Sequence, residues 1–194
     1  MSTKGSVELI RWGKDRGINV TAEACPHHLS LTEEAVEGYD THAKMNPPLR
    51  SAADRAAIIE GLADGTIEIL GSDHAPHCNF EKEVEFDYAP FGITGLETEL
   101  ALSLMQLHHT KQLGLADLLA KFTVNPAKLL KLAKGTLSVG ADADVTVFDA
   151  DALWTYQRED SASKSKNNPF FGWKLKGKPS ATIVGGKIVW SEQN

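Results

Sequence analysis

Cysteine is scarce: the 194 residues contain two, Cys25 and Cys78, and no Cys-x-x-Cys pattern. That excludes a disulfide framework and a cysteine-rich zinc site, and it sets the expectation of a reducing cytoplasm. Long apolar runs are also missing. Met1 to Gly17 has no apolar stretch of the about 7–15 residues that a signal peptide needs, and nothing approaches the ~20 residues of a membrane span. An excess of positive charge is missing too. Twenty Lys and Arg face 26 Asp and Glu, a net charge of −6, which argues against a nucleic-acid backbone as partner. With 42% apolar and 24% charged residues, the chain is neither a disordered tail nor a low-complexity linker. The charge is uneven. Glu81 to Asp87 holds four acids and one Lys, and Arg158 to Lys178 holds six bases and two acids. Both runs read as solvated loops.

The length fits one domain and a smaller second one. A helix is expected over Gly5–Arg16, capped by Ser2 and ended by Gly17. Ile18–Ala24 alternates like a strand, and Pro26 closes it. Ser51-Ala-Ala-Asp54 resembles a capping box for a helix carrying Ile58, Ile59 and Leu62. Ile67–Gly71 reads as a short buried strand. Thr94-Gly-Leu-Glu97 opens a long helix whose Leu96, Leu100, Leu104 and Leu107 share a face. Asn125-Pro126 starts a further short helix, as N-cap and first position. After Gly135 the texture turns β-rich, with strands at 145–148, 182–184 and 187–190 and Gly185-Gly186 as a hairpin turn. Alternating helices and strands indicate parallel βα units. Two strands cannot cover themselves, and a (β/α)8 barrel takes about 250 residues. The expected division is a partial barrel at 1–134 and a β-rich segment at 135–194.

The densest chemistry is Asp73-His-Ala-Pro-His77, directly after a buried strand, where parallel βα folds build their sites. An Asp there can ligate a metal and accept a proton, or it can be a hydrogen-bonded turn residue. Cys25-Pro-His27-His28 also follows a strand. Adjacent histidines lack the i, i+2 spacing of one strand face, so structural hydrogen bonding is the commoner use. His108-His109, late in a helix, suits the helix dipole. Asn46, in Met-Asn-Pro-Pro-Leu-Arg, offers an amide on a loop stiffened by two prolines, which suits a cyclic amide or imide or an ordinary turn.

Taken together, Met45-Asn-Pro-Pro-Leu-Arg50, Gly71-Ser-Asp-His-Ala-Pro-His77, Ala89-Pro-Phe-Gly92 and Gly95-Leu-Glu97 resemble bacterial dihydroorotases of the amidohydrolase superfamily. Pro26-His-His-Leu29 and the ending from Gly135-Thr-Leu to Gly140-Ala-Asp-Ala-Asp144 fit as well. The motifs run in the family's order over essentially the whole chain. Hydantoinase-type and allantoinase-type relatives share Ser-Asp-His but differ at the position of His77. The resemblance implies an α/β fold: the C-terminal portion of a TIM-like metal-dependent hydrolase barrel, with strands of a small composite β-sandwich. It implies reversible hydrolysis of dihydroorotate to carbamoyl-aspartate in pyrimidine synthesis, with Zn2+ as cofactor. Asp73 would be metal ligand and general base. Asn46 and His77 would hold the substrate, and Phe91 and Gly92 would contact its ring through the backbone. His27 and His28 match a family motif but no ligand position.

The family's His-x-His, its bridging lysine or aspartate and its two later single histidines have no counterpart in this chain. One ligand, Asp73, falls short of the about three protein ligands that catalytic zinc takes. The expectation is therefore a C-terminal portion of a longer enzyme, inactive by itself. The family's His-Val-Ser-Thr-Lys aligns with Met1-Ser-Thr-Lys4, which suggests a displaced start, and Val20, Ile67 and Ile69 are expected to be exposed and to drive self-association. The expected partners are the small-molecule substrate, a second copy of the chain and, in a further reading, aspartate transcarbamoylase. No nucleic acid or membrane is expected. Two readings compete with the first: a non-catalytic dihydroorotase-like partner of aspartate transcarbamoylase, and a dihydropyrimidinase- or allantoinase-type cyclic amidase.

Overall fold

The computed structural model describes residues 1–192. Helix α1 (Lys4–Asp15) starts at Thr3, whose hydroxyl accepts the Ser6 N–H. Thr3, not Ser2, is the cap, because Ser2 lies buried and its hydroxyl accepts from Arg50. Strand β1 is only Glu23–Ala24. The alternation from Ile18 to Val20 is not strand, because pairing with strand β2 (Ile69–Leu70) reaches only Glu23 and Ala24. The pair is parallel. Helix α2 (Pro26–Ser30) follows β1, with Pro26 in its first turn. Helix α3 (Ala52–Ala63) has the expected cap: Ser51 accepts the Asp54 N–H and donates to the Asp54 carboxylate.

Helix α4 (Asn79–Lys82) and helix α5 (Glu99–Ser103) flank the loop after β2. The long helix expected from Thr94 is shorter. Leu96 is 55% exposed and sits in a turn, and Leu104–His108 forms a π-helical turn. Gly95 packs so tightly on the Ser72 carbonyl that the chain at 94–98 follows that contact instead of a helix. Helices α6 (Leu115–Phe122) and α7 (Val124–Leu129) come next. Pro126 stands third in α7, not first, because the turn begins at Thr123.

Strands β3 (Val145–Thr155), β4 (Lys174–Val184) and β5 (Lys187–Ser191) form an antiparallel sheet in sequence order. Gly185 and Gly186 take φ of 56° and 76°, the left-handed pair that a two-residue hairpin turn needs. The basic end of the 158–178 run is thus strand, since Lys174, Lys176 and Lys178 pair with β3.

Two apolar cores meet in the segment from α5 into the π turn. Leu104 and Leu107 join Val7, Leu29, Ile58 and Leu62, while Ala101 and Leu102 join Met45, Ile93, Tyr156 and Phe170. Ile67 and Ile69 are buried at 0% and 4% exposure, contrary to the expected apolar exposure. α3, α6 and the π turn cover the sheet side. Among the described residues no helix is long and apolar enough to cross a membrane.

Candidate functional site

Both parallel strands end at the same edge, and the polar motifs follow them. Cys25-Pro-His-His28 leaves β1, and Gly71 to His77 leaves β2. The second segment stays extended long enough for His74 to bridge Ile93 in parallel, with the Ala75 N–H on the Ile93 carbonyl at 2.8 Å. A third strand position therefore lies beside β2. Asp73 sits between β2 and this bridge at φ 48°, a left-handed conformation that Asp tolerates better than most residues. Its side chain is exposed, while partial burial pushes its pKa up from the usual carboxylate value.

His74 does not face the same task. Its Nδ1 accepts the Gly95 N–H at 3.1 Å and the Leu96 N–H at 3.4 Å, so the ring fixes the 94–98 turn. His77 donates from Nε2 to the Phe91 carbonyl at 3.0 Å, and its Nδ1 stands 3.7 Å from Glu81. Phe91 is 55% exposed, with the Lys44 ammonium 4.7 Å from its ring centre. Gly92 is buried at φ 123°, and an added Cβ would stand 2.5 Å from that of Ala75. Only glycine fits this approach. The Gly92 N–H is engaged by the Lys44 carbonyl at 3.0 Å. Asn46 lies two residues beyond Lys44, exposed, and its amide makes no hydrogen bond among the described residues.

Residues outside the recognised motifs hold this shell together. Lys82, fully buried, donates to the carbonyls of Pro90 at 2.8 Å, Gly92 at 3.1 Å and Lys44 at 3.4 Å. Burial pulls its pKa down to about 8, and Lys44 adds to the shift. Asn167 accepts the His77 N–H at 3.1 Å and donates to the carbonyls of Ala75 and Gly92. Asn168 donates to Thr94 at 2.7 Å. The signal was present as Asn167-Asn168-Pro169 and as one Lys among acids, but both lie in runs that composition assigns to solvent. Glu97 is also structural. It accepts from the Tyr156 and Ser161 hydroxyls, each at 2.6 Å, and these bonds hold its pKa down although burial opposes them.

Beneath the loops, Cys25, His27 and His28 each offer a donor atom within 4.8 Å of the others. Burial, reinforced by the Asp73 charge, raises the Cys25 thiol to about 12. Burial and the neighbouring His28 lower His27 to about 3. His109 is engaged elsewhere, donating to the Ala150 carbonyl at 2.9 Å.

A model of the amidohydrolase family matches residues 7–189. Among curated relatives, a dihydroorotase of Pelotomaculum thermopropionicum is 53% identical over 193 residues, covering 100% of this chain and 45% of the relative. A dihydroorotase of Geotalea daltonii is 56% identical over 189 residues, covering 97% and 44%. The chain thus spans less than half the length of the curated relatives it matches. Among solved structures, the L-hydantoinase of Arthrobacter aurescens superposes with a TM-score of 0.92 at 34% identity, over 99% of this chain and 44% of that one. A dihydropyrimidinase of Brevibacillus agri superposes with a TM-score of 0.94 at 26% identity, over 100% and 44%.

Proposed function

The chain belongs to the amidohydrolase family, and from that premise we propose that it forms part of a dihydroorotase, which opens and closes the cyclic amide of dihydroorotate. The observation that carries the reading is the shell around Asp73. A carboxylate follows a buried parallel strand, and the same loop runs on to His77, which one hydrogen-bonded framework ties to Phe91 and, through Asn167, to Gly92. In this reading Asp73 takes the proton of the attacking water and hands it to the ring nitrogen as the C–N bond breaks. Asn46 supplies an unengaged amide to the substrate, and His77 lies toward the substrate carboxylate. The Gly92 N–H is already used by Lys44, so ring contact at this point comes from Phe91.

The family implies a metal, and zinc is the metal of this reading. The residues around Asp73 do not hold it unaided: among the described residues no other His, Cys, Asp or Glu gathers with Asp73 into a set of three. The reading also includes the division at 134/135, with a partial barrel before it and part of a composite β-sandwich after it. A cytoplasmic setting belongs to it as well. So does assembly with a second copy or with aspartate transcarbamoylase, for which the exposed Ile188, Val189 and Trp190 of β5 leave an apolar edge.

The similarity to hydantoinase structures favours a second reading, a cyclic amidase for another ring. The higher identity to dihydroorotases favours the first. The test joins this chain to the part of the P. thermopropionicum relative that it leaves uncovered, then assays dihydroorotate, hydantoin and dihydrouracil. Turnover of dihydroorotate is expected, falling about 100-fold or more in Asp73→Asn. Turnover of Asp73→Asn within tenfold of the parent would remove Asp73 from the chemistry, and preference for hydantoin or dihydrouracil would replace the substrate.

A further inference from the structure

We propose that Cys25, His27 and His28 form a binding site for a divalent transition metal of the zinc class, held by one thiolate and two imidazoles. The three donor atoms lie within 4.8 Å of one another, and the residues are 8%, 2% and 4% exposed. Two ring nitrogens of this cluster, His27 Nε2 and His28 Nδ1, are buried without a hydrogen-bond partner. A buried polar atom left unpaired costs about 1–3 kcal/mol, so two in one cluster mark a place where a ligand belongs.

The local structure prepares each donor. Cys25 occupies the N-cap position of α2, yet its side chain caps no N–H, so the sulfur is not spent on the helix. His28 meets the Pro47 carbonyl through Nε2 at 2.9 Å. A carbonyl can only accept, so Nε2 carries the proton and Nδ1 presents its lone pair, the arrangement that orients metal-binding histidines. A small void of ≈10 Å³, lined by His27, Ser72, Gly95 and Thr98 among others, adjoins the cluster. It has room for about one water as a fourth ligand.

The donor set selects the metal. One sulfur and two nitrogens suit zinc and its neighbours, whereas magnesium and calcium require oxygen. With Zn–S of about 2.3 Å and Zn–N of about 2.0–2.1 Å, tetrahedral donors stand roughly 3.5 Å apart. The cluster closes on the ion by side-chain rotation, and the thiol proton leaves to solvent as the Zn–S bond forms.

The experiment strips the 194-residue protein with a chelator, in a Cys78→Ser background, and titrates it with Co2+ and Zn2+. One equivalent should bind. Cobalt should give a sulfur-to-metal charge-transfer absorption that Cys25→Ser abolishes, and His27→Ala and His28→Ala should each weaken binding at least tenfold. Asp73→Asn should leave the band intact. X-ray absorption of the zinc form with Cys25 unaltered should show one sulfur neighbour at about 2.3 Å, a readout that needs no further variant to fold. Zinc bound by nitrogen and oxygen alone overturns the proposal, and so does a band that survives Cys25→Ser or vanishes in Asp73→Asn. Absence of stoichiometric binding overturns it too, leaving buried water as the partner of the two nitrogens.

Discussion

Lys82 is a buried ammonium whose partners are three carbonyls and no carboxylate. Lys82→Met exchanges the cost of desolvating that ammonium for an unpaired Pro90 carbonyl, since the Gly92 and Lys44 carbonyls keep Asn167 and the Gly92 N–H, so overall stability should shift by less than about 1 kcal/mol. The local effect should be large. Hydrogen exchange in 86–92 should accelerate, and unchanged protection there would show that the lysine tethers nothing. Glu99 carries a pH prediction. Burial raises its pKa from 4.5 to about 7, so the folded protein keeps a proton that the unfolded chain has released. Its contribution to stability therefore declines as pH rises from 4.5 through 7. Glu99→Gln should leave stability unchanged at pH 4 and raise it by about 2 kcal/mol at pH 8, discounting for partial exposure. Denaturant midpoints at both values measure this, and equal gains at the two would exclude the titration. At this scale the sequence disclosed the residues that stand in motifs and hid those that hold them. Lys82 and Asn167 act through contacts 8 to 92 residues away, and the chain around them is rich in charge: Lys82 stands between exposed Glu81 and Glu83, and Asn167 follows Lys164 and Lys166.

Helices with local signals were readable at the scale of elements. Ser51 and Asp54 cap α3 as their spacing demands. Gly185 and Gly186 make the hairpin. Strands were less readable, because a strand is defined by its partner. β1 stops where β2 stops, whatever the alternation of Ile18 to Val20 suggests. The expected long helix failed at a tertiary contact. A Cβ on Gly95 would lie 2.4 Å from the Ser72 carbonyl oxygen. Gly95→Ala must therefore push the 94–98 turn away from the Asp73 loop and break the Gly95 N–H bond to His74. A loss of about 2–3 kcal/mol is expected, the range of a forced overlap in a packed interior. Thermal unfolding checks it, and a melting temperature equal to the parent's would mean that the two segments are free to separate.

Over the whole molecule, the two cores share the Ala101–Leu107 segment, so the helical part and the β-rich part should unfold together. The link between them is different in kind. Residues 128–140 are exposed without interruption and contain Lys128, Lys131 and Lys134. Trypsin should cut there first, and mass spectrometry of the early fragments should find termini at these lysines. First cuts within 158–178 would show that the asparagine contacts do not hold that segment.

Asn167 and Asn168 reach back from the β-rich segment to Ala75, His77, Gly92 and Thr94. For anyone transplanting the Asp73 loop into another scaffold, this sets the size of the graft. A piece ending at 134 would carry every candidate site residue and leave behind the clamp that shapes their loop. The smallest faithful transplant is discontinuous, and it must bring residues 44–46 and 161–171 along with 71–97.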